Sequence, residues 1–199
     1  MNPLPHASTR RVAWSLAAWL LCSCGGSDNP APVQAARPCD DGGVCVATVA
    51  GSGDFGNVDG SAAMARFSFP HAVAVDAQAG IHVADFGNDN LTRLVASGEV
   101  STPAEDGIDF PHPADVAVDA AGNRFLADAF GNRILKITPD GRTSVLAGTG
   151  RPGDADGDAA TATFSMPSGL AFDAAGVLFV ADMGNRKIRS ITFGKVRAG

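Results

Sequence analysis

His71, and His112 with Asp115 close behind it, are imidazole and carboxylate groups of the kind that hold a catalytic zinc. Asp154, Asp156 and Asp158 alternate with small residues as at the start of a calcium loop, because a hard cation needs clustered carboxylates. The pattern then lapses: Ala159 stands where a turn glycine is required, and Ser165 where a bidentate glutamate would close the site. A solvated acidic turn is the better reading of those residues. Segments 51–56 and 148–153 both match G-x-G-x-x-G, which cradles a pyrophosphate only between a strand and a helix. No stretch of helical periodicity follows either copy, so both read as turns. Cys39 and Cys45 read as one disulfide in an oxidising compartment; a two-thiol metal site is the alternative, with no His or further Cys nearby to complete it. The sequence has no G-x-S-x-G, H-E-x-x-H or Cys–His nucleophile pattern.

The elements that carry these residues repeat. Three segments begin at Pro70, Pro113 and Pro167 and reach a first aspartate six residues on (Asp76, Asp119, Asp173) and a second after nine more (Asp85, Asp128, Asp182). Each second aspartate is followed by a Gly-Asn pair (Gly87-Asn88, Gly131-Asn132, Gly184-Asn185) and a new apolar run. The runs are short, rich in Val, Ile, Leu and Phe, and bounded by Gly, Asn, Asp and Pro, which predicts strands. Each unit gives an inner strand, a tight turn, a second strand, a Gly-Asn turn and a third strand. A fourth is predicted over 99–102 and 143–146, making a four-stranded antiparallel blade. Residues 44–50 are predicted as a further outer strand preceding the first blade.

Pro-x-x-apolar-Ala-apolar-Asp, then apolar-Ala-Asp, then Gly-Asn, three times in tandem, resembles the NHL repeat over residues 44–199. Two linkers of equal length, from Ala50 to Pro70 and from Ala147 to Pro167, strengthen the resemblance. It implies an all-β, NHL-type β-propeller, incomplete, with three blades (about 70–102, 113–147 and 167–199) plus the N-terminal outer strand. Propellers close with about 4–8 blades, so three imply either a truncated reading frame or a half-ring closed by a second chain as a homodimer. The end falling inside a predicted strand favours truncation. Within propellers, Pro-His before an inner strand is similar to the metal-binding step of peptide-amidating lyases. His71 matches that step, but Ala114 and Ser168 stand at the other two places and His112 is shifted by one. A lactonase-like hydrolase with a metal in the central channel is the related alternative.

Strands alternate in direction, so the Gly-Asn turns and the long linkers emerge on one face. Function on rigid scaffolds concentrates on such loops. Phe86, Asn88, Phe130, Arg133, Met183 and Arg186 are therefore the candidate binding residues, for a protein, peptide or glycan. No cofactor is expected, calcium or zinc being the exception the candidates above leave open. Asp85, Asp128 and Asp182, recurring at one place, read as structural acceptors of backbone N–H bonds in the turn.

The N-terminus predicts export. Arg10 and Arg11 precede an apolar stretch too short to span a bilayer, ending in Leu21-Cys22-Ser23-Cys24. That tetrad resembles a bacterial lipobox, which implies a signal peptide over 1–23, lipidation of Cys24, and anchoring in the cell envelope, or secretion if cleavage is unlipidated. Gly25 after the cysteine points to the outer membrane more than the inner. Residues 24–38 are polar and proline-containing, a flexible tether to a folded part over 39–199. Loss of Arg10 and Arg11 takes the formal net charge from −6 to −8. Such an acidic chain is a poor partner for nucleic acid, whose phosphates demand Lys and Arg. Both Trp leave with the signal and there is no Tyr, so any aromatic anchor is Phe.

Overall fold

The structure, a computed structural model, describes residues 44–106 and 108–193. Its described strands are β1 (Gly60–Ser61), β2 (Pro70–Val75), β3 (Ile81–Asp85), β4 (Asn90–Leu94), β5 (Glu99–Ser101), β6 (Pro113–Val118), β7 (Arg124–Asp128), β8 (Arg133–Ile137), β9 (Thr143–Ala147), β10 (Pro167–Phe172), β11 (Leu178–Asp182) and β12 (Lys187–Ile191). They form three antiparallel sheets: β1-β5-β4-β3-β2, β6-β7-β8-β9 and β10-β11-β12. These are propeller blades side by side, not closed into a ring, with β2, β6 and β10 innermost and β6 in contact with both β2 and β10.

One predicted strand is absent. Residues 44–49 adopt no regular structure and are exposed. A strand needs an unpaired edge to bond to, and residues 44–49 meet none among the described residues. The added strand comes instead from the first linker, where Gly60 and Ser61 pair with Val100 and Glu99. The chain joins the fold at Gly51, whose N–H donates to Ala62 O.

The blades are held by the apolar faces between them. Ala84, Leu91, Val116, Leu126, Leu135 and Ile137 fill the first interface. Phe125, Ala127, Ile134, Phe164, Leu178 and Val180 fill the second. Each large side chain buried here contributes about 2 kcal/mol by leaving water. The same positions stand open at the ends of the row: Val73, matching the buried Val116, is 64% exposed, and Ile188, matching Ile134, is 73% exposed.

The linker between the first two blades is the shortest and is held electrostatically. Arg124 Nη1 donates to Glu105 Oε1 at 2.9 Å, with both side chains nearly buried. Burial pushes Glu105 up to about 7 against the pull of Arg124. The unfolded chain releases this proton near 4.5, so between about pH 4.5 and 7 only the folded state still holds it. The contribution of this group to stability therefore falls as pH rises through that window. We expect Glu105→Gln to remove the slope and to be more stable than wild type at about pH 8, by on the order of 3 kcal/mol, in urea unfolding. A less stable variant at that pH would mean that the attraction to Arg124 outweighs the cost of burial.

Candidate functional site

The turn-and-linker face is positioned by three carboxylates at the ends of β3, β7 and β11. Asp85, Asp128 and Asp182 are fully buried. In the first and third blades the carboxylate accepts the N–H of a linker serine, Ser68 or Ser165, at 2.8 Å. Its other oxygen accepts Asn88 Nδ2 at 2.6 Å or Asn185 Nδ2 at 2.8 Å. Those amides also donate to linker carbonyls, Gly56 O and Gly153 O. Each aspartate thus clasps a turn to the linker before it. The repeat predicted the acceptor role but placed the donor in the turn, which holds in the second blade alone. There Asp128 accepts Gly131 N–H at 2.9 Å and Arg133 Nε at 2.7 Å, and Arg133 Nη2 reaches Asp109 O of the linker. A side chain at Gly131 would collide with the Asp128 carboxylate.

This corrects the alignment of the Gly-Asn pairs. The three turns are equal in length, but Phe130 stands where the other blades have Gly87 and Gly184, so Asn132 falls one place late. It occupies the left-handed position held by Asp89 and Arg186 in the other blades. Asn88 and Arg133 are accordingly committed to the clasps, whereas Phe130 and Met183 are more than half exposed and Arg186 is exposed.

The inner strands begin in a second repeated device. The residue before each proline has positive φ without being glycine: Phe69 at 52°, His112 at 60° and Met166 at 50°. A register shift follows at once in β2, β6 and β10, making His71, Ala114 and Ser168 the added residues of a bulge. Such backbone costs about 1–3 kcal/mol per residue and re-aims side chains, which is why it clusters at binding sites. The sequence signal was a bulky residue before each repeat proline, and it pointed to His112 without the equivalent Phe69 and Met166.

These devices bring His71, Phe86, His112 and Phe130 together at the junction of the first two blades. Ring centroids lie 5.7 Å apart for His71–Phe86, 4.7 Å for Phe86–His112 and 5.2 Å for His112–Phe130. Phe55 and Phe69 form a further exposed pair at 5.4 Å. His71 Nδ1 lies 2.6 Å from Ala114 O. A carbonyl only accepts, so Nδ1 carries a hydrogen, and in the neutral ring Nε2 carries the lone pair. His112 Nδ1 meets the Asp89 carboxylate, which also accepts His112 N–H; this partner holds Asp89 below the usual carboxylate range. In their neutral forms both imidazoles leave Nε2 as an acceptor beside an apolar ring surface.

The metal candidates are dispersed. Asp115 accepts Val116 N–H and Leu170 N–H, stitching β6 to β10, and burial raises its pKa. Asp154 pairs with Lys187 and Asp156 with Arg189 on β12, and they form no cage with Asp158. No group of three or more His, Cys, Asp or Glu with metal-holding geometry occurs among the described residues. Cys24 and Cys39 lie outside the described residues, so the lipidation and the Cys39–Cys45 pairing are not seen. No helix among the described residues is long and apolar enough to cross a membrane.

The fold defines a chain of the β-propeller kind, and NHL repeat-containing proteins are among its relatives. Protein SUPPRESSOR OF QUENCHING 1, chloroplastic, of Arabidopsis thaliana is 41% identical over 85 residues, 42% of this chain and 8% of its own length. NHL repeat-containing protein 3 of Mus musculus is 30% identical over 98 residues, 45% of this chain and 26% of its own. A probable peptidyl-alpha-hydroxyglycine alpha-amidating lyase of Caenorhabditis elegans is 28% identical over 138 residues, 64% of this chain and 38% of its own. The chain thus spans less than half the length of these relatives. No protein-family profile matches it. Among solved structures, an auxiliary nutrient binding protein from Bacteroides thetaiotaomicron superposes with a TM-score of 0.51 at 21% identity, over 60% of this chain and 36% of that one.

We expect Asp85→Ala, which strands the Ser68 and Asn88 donors in a buried site, to lower the unfolding free energy by about 2–4 kcal/mol in urea denaturation. A loss under about 0.5 kcal/mol would show that the clasp adds nothing beyond packing.

Proposed function

We propose that this chain is a binding module and that its ligand, a glycan, sits on the rim formed by Phe86, Phe130, His71 and His112. The observation that carries this reading is an exposed aromatic surface, Phe130 being 56% exposed, beside two imidazoles whose free nitrogens accept hydrogen bonds. A sugar ring offers what such a surface lacks: a flat C–H face to lie on the rings and hydroxyls to donate at the edge. The nutrient-binding neighbour is consistent with this, though at its level of identity it supports the fold alone. Titration of the protein with a panel of oligosaccharides should find a binder, and Phe130→Ala should weaken it at least tenfold, about 1.4 kcal/mol. Binding of an apolar peptide with no sugar bound would replace the glycan by a peptide.

A second reading has one observation behind it. Metal-binding histidines characteristically donate their other ring N–H to a carboxylate or a backbone carbonyl, as His112 does to Asp89 and His71 to Ala114. With the resemblance to amidating lyases, this keeps a channel hydrolase or lyase in view. A catalytic zinc takes three protein ligands, and the described residues bring two imidazoles to the rim. Stoichiometric zinc in the purified protein, lost in His71→Ala, would favour this reading over the binding module.

We further propose that the module is displayed on the cell envelope, anchored through lipidated Cys24 after removal of residues 1–23, with Cys39 and Cys45 paired. Envelope display is consistent with the lipobox-like tetrad and with the acidic mature chain. Cys24→Ser should move the protein from the membrane fraction to the soluble fraction. Unchanged membrane association would rule out that anchor.

A further inference from the structure

On the opposite face, the cleft between the first two blades departs from the repeat. Side chains of β3 and β7 that face the following blade meet those of β7 and β11 that face back. Between the second and third blades this gives Phe125 against Leu178, within an apolar cluster. Between the first and second, the equivalent positions are His82 and Arg124, both buried. An aromatic–aliphatic contact has thus been replaced by two basic side chains, at a site where packing alone favours apolar residues.

The neighbouring residues accommodate the change. Asp76, ending the inner strand, accepts His82 Nε2 at 3.0 Å and Arg93 Nη2 at 3.1 Å, besides the N–H groups of Gln78 and Gly80. Its equivalent Asp119 instead takes the amide of Asn123, where the first blade has Gly80. A side chain at Gly80 would sit 2.6 Å from Asp76 Oδ2 and 3.0 Å from Arg93 Nη2, so glycine there makes room for the ion pair. Arg124 is engaged by Glu105 and by Thr138 O.

The cluster opens onto a cavity of about 390 Å³ lined by Asp76, His82, Arg93 and Arg124 and edged by Pro139, Asp140 and Gly141 of the facing turn, where the Asp140 carboxylate is paired with Arg142 and Thr138. The matching cleft between the second and third blades is lined by Phe125, Phe172 and Phe193. Asp76 is saturated with donors, whereas the cations are not saturated with acceptors. Arg93 makes one hydrogen bond with a group that has five N–H donors, and its buried Nε–H has no partner among the described residues. Burial lowers the His82 pKa, and with Nε2 donating to Asp76 its buried Nδ1 is an acceptor, so the two guanidinium groups are what an anion would meet. The two guanidinium groups stand close enough to oppose each other's charge.

We propose that this inter-blade cleft is a second binding site, taking a small molecule with an oxyanionic group, a carboxylate or a phosphate, held by Arg93 and Arg124. A carboxylate or a phosphate accepts from a guanidinium in pairs and would relieve the repulsion between the two. The cavity volume suits a ligand the size of an amino acid or a monosaccharide acid. The site lies across the blades from the aromatic rim and does not depend on the reading of that rim.

The test is titration of the full chain with inorganic phosphate and, separately, with acetate, at constant ionic strength, following the arginine Nε–H signals by NMR. Saturable shifts of the Arg93 and Arg124 signals are expected with at least one probe, and which probe binds identifies the anion class. Arg93→Gln, at a partly exposed position, should weaken binding at least tenfold. The double variant His82→Phe, Arg124→Leu, which restores the pattern of the next cleft, should abolish it. Absence of saturable shifts in wild type with both anions, or equal affinity in Arg93→Gln, overturns the proposal.

Discussion

A carboxylate that ends a strand with no exposure to water must have its oxygens hydrogen-bonded, and this requirement organises the molecule. Asp85, Asp128 and Asp182 meet it in each blade with groups that cannot come from the same strand. The donors are recruited from the linker, from the turn, or from a side chain spanning both. The long linkers are rich in glycine and acidic residues. They are held on the face by these hydrogen bonds together with their own buried side chains, Ala65 in the first and Ala162 and Phe164 in the second.

With turns and linkers fixed, the strained starts of the inner strands become tolerable. Left-handed Phe69, His112 and Met166, each followed by a bulge, are held from both sides by clasped segments. The outcome is a rim on which large side chains project instead of packing. It is richest where the second blade has Phe130 in the place of Gly87 and Gly184. The departures from the repeat carry the functional content here: a phenylalanine in place of a glycine on one face, and His82 and Arg124 in place of an apolar contact on the other.

A binding role and a catalytic role draw on the same imidazoles. Their free Nε2 atoms suit a hydroxyl donor and a metal ion equally well. The distinction rests on ligand count and surroundings: the described residues supply flat apolar rings around them and a carboxylate, Asp115, whose oxygens are taken by backbone N–H groups. Such surroundings fit a surface on which a ligand lies more closely than a cage that closes around an ion.

The blades, their order, the positions of inner, second and third strands and the common face of turns and linkers were legible in the sequence, because repetition and apolar alternation are local properties. So was the structural role of the recurrent aspartates. Which atoms satisfy them was not, since Ser68 and Ser165 are distant in the chain and meet the aspartates only after the linker folds back. The outer strand expected over 44–50 failed for a related reason: a strand is made by its partner edge, and Gly60–Ser61 is the segment the first blade pairs with. Phe86, Phe130 and His112 could each be nominated singly, but their convergence depended on how two blades pack. The polar cleft left a trace in the sequence, an arginine and a histidine in apolar columns of the repeat. Only the tertiary structure showed that the two columns face each other across one interface, because the sequence orders residues along a strand while the packing of blades decides which strands meet.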